Sequence, residues 1–332
     1  MEHLPRPRGP ITEALFAALE RPPHRLAPLR IAGASHDDLQ LALYCCYELH
    51  YRGVGGVDEH WEWSPSLLEA RQQLETEFEA WLQEVVEPGD ERCDAADMDV
   101  ALRAIAADDE APSVSTYIER EATLEQLREF LMHRSAYQLK EADPHSWAIP
   151  RLSGAPKAAL VEIQADEYGS GRPERVHATL FADAMRAFGL DAGYGAYVDV
   201  LPAETLATVN LMSLCGLHRR LRGAIVGHLA LFEMTSSIPN RRYASGVRRL
   251  GFREPAATRF FDEHVVADAV HENIAAVDLA GGLAKQEPDQ IGQILWGARA
   301  LVELEGRWAR QLMASWEAGR SSLRSAVSAA AA

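Results

Sequence analysis

The spacing of apolar residues indicates helices along most of the chain. From 291 to 316, apolar side chains recur at intervals of three and four residues, among them Ile291, Leu301 and Trp316. That interval places them on one face of an α-helix. The same spacing predicts further helices at 122–141, 175–188, 204–214, 219–235 and 257–279. Alternating runs bounded by tight turns, which are typical of strands, are scarce. The pattern therefore predicts an all-α fold.

Three segments interrupt this pattern. Residues 1–10 are rich in Pro and Arg, and the chain ends in a low-complexity stretch of Ala and Ser. Both ends are predicted to be disordered. The acidic segment 86–98 contains Gly and Pro and is predicted to be the main loop. Gly189 follows the helix predicted at 175–188 and is suited to end it.

The charge and the cysteines restrict the partners and the location. The 332-residue chain has a formal net charge of −16, which repels nucleic acid and anionic membranes. No apolar run reaches transmembrane length, and the polar N-terminus is not a signal peptide. We therefore expect no nucleic-acid partner and no membrane. The cysteines form no Cys-x-x-Cys pair, which argues against a zinc–thiolate site and fits a reducing, cytoplasmic location. They are Cys45, Cys46, Cys93 and Cys215.

One polar stripe stands out in an apolar region. His264, Asp268 and His271 are separated by four and then three positions. Residues at this spacing lie on the same face of a helix, so three potential metal ligands would point the same way. The alternative is a polar helix face with two surface histidines, and the spacing alone leaves both interpretations open.

A second ligand-like pair favours the metal interpretation. Glu174 and His177 form a Glu-x-x-His step, as Asp268 and His271 form an Asp-x-x-His step. Two such steps on separate helices, with further glutamates, are typical of di-metal sites in helical bundles. A set of carboxylate and imidazole ligands suits iron or manganese. Pro173 is suited to the first turn of a helix that carries Glu174.

The chain resembles the haem-oxygenase-like di-iron oxidases and oxygenases over about 120–318. Three features carry the resemblance. They are the trio His264-x3-Asp268-x2-His271, the stretch "DEYGSGRPERVH" with Glu167, Glu174 and His177, and single glutamates at Glu141 and Glu233. Glu141 precedes Glu174 by 33 positions, and Glu233 precedes His264 by 31.

The resemblance implies a set of ligands. Glu141, His177 and His264 would gather around one iron, and Asp268 and His271 would hold the other. Glu174 would bridge or complete the site, Glu233 would be a further carboxylate ligand, and Glu167 would be the extra carboxylate of the N-oxygenating branch. Whether Glu167 reaches the metal is left open, because a Gly/Pro break follows it. The nearby acidic residues are expected to point away; they are Asp166, Asp262, Glu263 and Glu272. The remaining histidines, His145 and His228 among them, are expected to be structural.

The resemblance also implies an architecture. The fold would be a haem-oxygenase-like helical bundle with additional N-terminal helices. Residues 1–115 would be an N-terminal extension whose added helices pack on the bundle, with about the first ten residues disordered. Residues 116–318 would form the di-iron bundle, and 319–332 a disordered tail.

The function that the resemblance implies is Fe(II)- and O2-dependent oxidation of a small free amino acid at a site with two iron ions. Such an enzyme would serve natural-product biosynthesis. Desaturation, C–N ring closure, C–C cleavage and N-oxygenation all stay open, as do an external electron donor and a homodimer. Two alternatives are a fatty-acid-oxidising enzyme of the same family and a non-catalytic iron-binding bundle. Proximity in sequence makes Arg172, Arg241 and Arg242 candidates for binding the carboxylate of the substrate.

Overall fold

The computed structural model describes residues 1–89 and 93–325. Across these residues the chain forms helices joined by loops and 3-10 turns, with no strand, so the all-α prediction is confirmed. None of the described helices is both long enough and apolar enough to cross a membrane. The helices are α1 Pro10–Leu19, α2 His36–Glu48, α3 Pro65–Val85, α4 Met98–Ala107, α5 Val114–Arg120, α6 Leu124–Gln138, α7 Asp143–Ser146, α8 Gly154–Glu167, α9 His177–Ala187, α10 Ala203–Leu217, α11 Arg222–Arg249, α12 Pro255–Asn273, α13 Gly282–Gln286 and α14 Ile291–Glu317.

The strongest apolar repeat gives the most accurate prediction. The helix expected at 291–316 is α14, and Gly189 follows α9 with φ 73°, as a C-terminal glycine should. The helix expected at 219–235 is instead the first half of α11, which continues through Pro239 to residue 249. Proline usually ends a helix because it lacks an N–H group.

Side chains around Pro239 bond to the helix backbone. The hydroxyl of Thr235 donates to the carbonyl of Leu231 at 2.8 Å, and the amide of Asn240 donates to the carbonyl of Ser236 at 3.1 Å. Packing also holds this helix, since α11 lies against α5, α12 and α14. Local propensity was therefore overruled by tertiary contacts.

Helices α11 and α14 touch backbone to backbone. A Cβ atom added at Gly227 would lie 1.8 Å from the carbonyl oxygen of Ile294, and one added at Gly297 would lie 2.0 Å from that of Ala224. Only glycine permits so close an approach. The two glycines therefore allow the helix that carries Glu233 to pack directly against the backbone of α14.

The N-terminal helices share a core with the rest of the chain. Leu41 and Tyr44 of α2 are buried in the same apolar cluster as Leu206 and Leu211 of α10. A second cluster joins residues of α6, α9, α12 and α14. The described part of 1–115 therefore packs on the later helices, while a domain boundary at 115 stays a prediction.

The expectation of a disordered N-terminus was wrong. The Met1 side chain is buried, and its ammonium group donates to the carbonyl of Gly53 at 3.0 Å. The guanidinium of Arg8 donates to Asp37 at 2.8 Å and to the carbonyl of Val198 at 2.7 Å. A Pro/Arg-rich composition suggested disorder, but the arginines are fixed by ion pairs and backbone carbonyls that only the fold brings near.

The C-terminal expectation is corrected in part. Ser322, inside the tail predicted at 319–332, is buried, and its hydroxyl donates to Glu129 at 2.6 Å. Residues 319–325 thus lie on the bundle, and 326–332 lie outside the described residues. Of the loop predicted at 86–98, residues 90–92 lie outside them too, and a short 3-10 turn at Ala95–Asp97 leads into α4.

Candidate metal centre

Acidic and imidazole side chains from separate helices meet in the interior of the bundle. Each is at most 6% exposed, although such residues are almost never fully buried unless they are paired or bind a metal. They come from the turn after α6 and from α8, α9, α11 and α12. They are Glu141, Glu167, His177, Glu233, His264, Asp268 and His271.

The helix α12 has the reverse of the usual amphipathic pattern. His264, Asp268 and His271 face the interior, whereas Val266 and Val270 are 71% and 60% exposed. Ordinary surface helices bury the valines and expose the charges. The reversal fits the metal-ligand interpretation of the stripe and argues against surface histidines.

Two groups of potential ligand atoms can be distinguished, each with its atoms within 4.8 Å of one another. The first contains Glu141, Glu167, His177 and His264, and the second contains Glu167, Glu233 and His271. Glu167 belongs to both.

The two oxygens of Glu167 face different groups. Its Oε2 lies 2.9 Å from Nδ1 of His177, and its Oε1 lies 3.9 Å from Nδ1 of His271. The remaining contacts lie within the groups: Nε2 of His264 is 3.4 Å from Glu141, and Nδ1 of His271 is 3.4 Å from Glu233. A carboxylate in this position can bridge two cations. Asp268 lines the same small pocket as Glu141, Glu167, Glu233 and His264.

Several of these buried atoms form no well-directed hydrogen bond in the described part of the chain, although a carboxylate lies 2.9–3.4 Å from each of the imidazole nitrogens concerned. An orphaned buried polar atom is costly, and native proteins rarely leave several in one place. Bound cations would satisfy all of them at once. The atoms are Oε2 of Glu141, Nδ1 of His177, Nε2 of His264, Oδ2 of Asp268 and Nδ1 of His271.

The pKa values show the same shortage of positive charge. Burial, reinforced by neighbouring carboxylates, raises the pKa of Asp268 to about 8, and burial raises the pKa values of Glu141 and Glu233. The pKa of Glu167 is lowered because the imidazoles outweigh its burial. Neighbouring carboxylates outweigh burial at His271 and raise its pKa to about 9. Protons therefore occupy this cluster until a cation displaces them.

Contacts behind the ligands orient two imidazoles. Nδ1 of His264 lies 2.7 Å from the carbonyl oxygen of Phe260, which can only accept, so this nitrogen carries the proton and Nε2 is left for a metal. Nε2 of His271 lies 3.2 Å from the carboxylate of Asp166, which leaves Nδ1 facing Glu233. Asp166 was expected to point away. It ends up near His271 because it precedes Glu167 at the end of α8.

The backbone is distorted next to two ligands. Ala142, which follows Glu141, is a non-glycine residue with φ 73°, and its carbonyl accepts a 2.8 Å bond from the amide of Gln164. A left-handed alanine costs about 1–2 kcal/mol and persists only where the surroundings enforce it. After His271, the chain continues as a π-helical segment, Ile274–Gly281. Such segments are frequent at functional sites.

The structure does not bring Glu174 into the cluster. It is exposed on the short 3-10 turn Pro173–Arg175, and α9 begins only at His177, so the Glu-x-x-His step does not lie on one helix. Glu167, at the end of α8, occupies the shared position expected for Glu174. The cause is the turn between the helices, where Gly169, Ser170 and Gly171 all have positive φ.

Two residues beside the centre were not predicted. Tyr137 and His145 line the pocket that contains the carboxylates, and Nε2 of His145 lies 3.2 Å from Nδ1 of His228. No spacing in the sequence links these histidines to the ligands. None of Arg172, Arg241 and Arg242 lines this pocket.

An all-α bundle with a buried centre of carboxylates and imidazoles is typical of the di-iron and di-manganese carboxylate proteins. The profile of the iron-containing redox enzyme family matches residues 128–306, which is more than half of the chain, and the protein belongs to this family. The resemblance inferred from the sequence is thereby confirmed. A nitrosourea synthase from Streptomyces achromogenes subsp. streptozoticus is 26% identical over 153 residues, which are 46% of this chain and 32% of that enzyme. The chain thus matches about a third of this relative's length.

Proposed function

We propose that the protein is an Fe(II)- and O2-dependent di-iron oxidase or oxygenase that modifies a small amino acid. The observation that carries the proposal is the division of Glu167 between the two ligand groups. A single mononuclear site would not need a buried carboxylate with one oxygen directed to each of two separate sets of ligands.

The donor set fits two ferrous ions. We assign Glu141, His177 and His264 to one ion. Glu233 and His271 hold the other, with Asp268 as its further ligand, and Glu167 is shared. Four carboxylates balance the charge of two dications, so the loaded centre would be neutral in a buried environment that disfavours net charge.

The bound iron would supply electrons to reduce O2, and the oxidising power gained in this way would remove electrons from the substrate. The residues of the chain do the rest. Phe260 and Asp166 fix the protonated nitrogens of His264 and His271, so their other nitrogens stay available as donors. Burial of the ligands excludes bulk water from the centre.

The similarity to a nitrosourea synthase supports oxidation at nitrogen, since a nitroso group carries oxygen on nitrogen. Because the match spans a minority of both chains, desaturation, C–N ring closure and C–C cleavage stay within the proposal. We further propose a cytoplasmic role in natural-product biosynthesis, with an external electron donor.

Anaerobic loading with Fe(II), followed by metal analysis, tests the centre with a matched pair of variants. We expect two irons per chain in the wild type and in Glu174→Gln, and about one in Glu167→Gln because the shared ligand is weakened.

Addition of O2 with a panel of amino acids should then give substrate-dependent O2 uptake. Mass spectrometry identifies the products. Iron well below one per chain in the wild type would refute the proposal. Oxidation of a long-chain fatty acid but of no amino acid would refute its substrate class.

A further inference from the structure

A cavity of about 410 Å³ lies beside the metal centre, in the size range of small-molecule sites. Helices α6, α9, α11, α12 and α14 enclose it, together with residues 106–115. Phe232 and Ser236 line both this cavity and the pocket of the carboxylates.

Two wall residues lie one helical turn from a ligand on the same helix, and a third is close to a ligand along the chain. Gln138 is three positions before Glu141, and Phe260 is four before His264. Phe181 is likewise four positions after His177. One turn advances 5.4 Å along a helix, so this end of the cavity is within about one turn of the metal centre.

An ion pair forms another part of the wall. Two nitrogens of Arg134 donate to the two oxygens of Glu305 at 2.8 and 2.7 Å, and the guanidinium lies 3.9 Å from the ring centroid of Trp308. Arg134 precedes Gln138 by four positions on α6, so it is one turn further from the metal centre. The ion pair therefore lies on the wall one turn beyond Gln138, while Phe181, Phe232 and Phe260 line the part of the cavity near the ligands.

This wall retains unused hydrogen-bonding capacity. Arg134 has five N–H donors; Glu305 takes two and Tyr243 is a further partner, which leaves donors for a ligand, and Glu305 keeps free lone pairs. The buried Oε1 of Gln138 has no hydrogen-bond partner within residues 1–89 and 93–325. A ligand with one negative and one positive group could bind to the pair without separating it. Its negative group would face Arg134 and its positive group would face Glu305, so each charge would have opposite charges as neighbours.

We propose that Arg134 and Glu305 bind the α-carboxylate and the α-ammonium group of the amino-acid substrate; this inference rests on the proposed function. The phenylalanine-lined part of the cavity then holds the side chain of the substrate. The side chain, and not the α-carbon, is directed to the metal centre. Arg134 takes the role first expected of Arg172, Arg241 or Arg242, none of which lines the cavity.

The head group is tested with L-norleucine, pentylamine and hexanoate, titrated calorimetrically into the anaerobic Fe(II)-loaded protein. Pentylamine is norleucine without its carboxylate, and hexanoate is norleucine without its ammonium group. We expect norleucine to bind about 10- to 100-fold more tightly than either analogue, the value of one charge-assisted contact. Equal or weaker binding of norleucine would overturn the proposal, and tightest binding of hexanoate would point to a fatty acid.

Variants assign the two charges separately. Arg134→Gln should remove the preference over pentylamine, and Glu305→Gln the preference over hexanoate. Arg307→Gln on the same helix as Glu305, which removes a pair with Glu303, should change neither preference. If Arg134→Gln weakens all three ligands equally, the ion pair is only structural. If that variant does not fold, Arg134→Lys keeps the charge, and it should retain a smaller preference over pentylamine; no loss at all would contradict the assignment.

Failure of this inference is distinguishable from failure of the proposed function. Two irons per chain and amino-acid-dependent O2 uptake, without any preference for norleucine, would leave the function standing and remove the head-group site. Absence of iron would remove the function. The same titrations on the metal-free protein would then decide whether the cavity binds a zwitterion at all.

Discussion

Two buried charged clusters lie on either side of a single peptide bond. Lys140 and Glu48 are fully buried and form an ion pair, and Nζ of Lys140 also lies 4.2 Å from the ring centroid of Tyr51. The next residue, Glu141, belongs to the candidate metal centre and has an oxygen without a hydrogen-bond partner among the described residues. The first cluster contains its own cation, and the second contains only carboxylates and imidazoles.

The presence or absence of a cation within the chain separates buried charges with a structural role from those that need a ligand. A buried carboxylate with a lysine beside it is neutralised within the chain, so it requires no ligand. A group of buried carboxylates without Lys or Arg among its members has a deficit of positive charge that only protons or metal ions can fill. Burial alone would not have distinguished the two, since Glu48 and Glu141 are both buried.

The largest effect is expected from removing a ligand of the second cluster. Asp268→Ala and His271→Ala should abolish O2-dependent turnover, while circular dichroism shows an intact helical fold. The fold should survive because burial disfavours the ionised carboxylate of Asp268, so its removal relieves an unfavourable buried charge. Asp262→Ala, on the exposed side of the same helix, is the matched control and should stay active. A ligand variant that unfolds globally yet keeps iron would show that the stripe is structural.

In the first cluster, by contrast, substitution should act on stability. Lys140→Met leaves Glu48 buried without its counter-ion, which should lower the free energy of unfolding by about 3–5 kcal/mol. Urea denaturation of the metal-free protein measures this. The double variant with Glu48→Gln should recover much of the loss. Arg220→Met breaks an exposed pair with Glu79 and should cost at most about 1 kcal/mol. Equal losses in the free energy of unfolding for Lys140→Met and Arg220→Met would contradict the comparison.

A smaller effect is expected behind the ligands. Asp166→Ala removes the carboxylate that faces Nε2 of His271. Loss of such a contact typically lowers metal affinity by about 10- to 100-fold, and we expect a loss in this range here. Competition with a chelator measures it. Asp183→Ala, which breaks an exposed pair with Arg186 on α9, should leave the affinity unchanged. An unchanged affinity in Asp166→Ala would mean that the imidazole is oriented by the helix alone.

The smallest effect is a dependence on pH. The raised pKa values of Asp268, about 8, and His271, about 9, mean that the folded metal-free protein binds these protons more tightly than the unfolded chain. Their contribution to stability is present at low pH and is lost as the pH rises towards 8 and 9. The lowered pKa of Glu167 acts in the opposite direction at acid pH. The melting temperature should therefore fall from pH 6 to 9 without metal and fall less with Mn(II); a rise without metal would contradict these directions.

The part of the site that follows helical periodicity could be predicted from the sequence. His264, Asp268 and His271 lie on one helix, and their relative positions follow from its geometry. Glu167 could not be assigned in the same way, because three successive residues with positive φ reverse the chain between it and His177. The sequence shows the glycines there but not the direction in which the chain leaves them, so Glu174 was placed in the site instead.

The fold, like the site, could be predicted only in part from the sequence. Apolar repeats predicted the helices, but the ends of the chain depend on long-range polar contacts. Arg8 meets Asp37 and the carbonyl of Val198, which lies 190 positions away. The ion pair of Arg134 and Glu305 joins residues 171 positions apart. No local pattern specifies either contact.

The backbone contact at Gly227 and Gly297 has a consequence for specificity. Glu233 is six positions beyond the first glycine, and Glu305 is eight beyond the second, each on its own continuous helix. The position of Glu233 relative to Glu305 is consequently fixed by two helices that touch at these glycines without side chains between them. Substitutions among the phenylalanines would alter the width of the cavity but not its length. A chain that accepts substrates of a different length would have to change its helix contacts, and not merely its pocket lining.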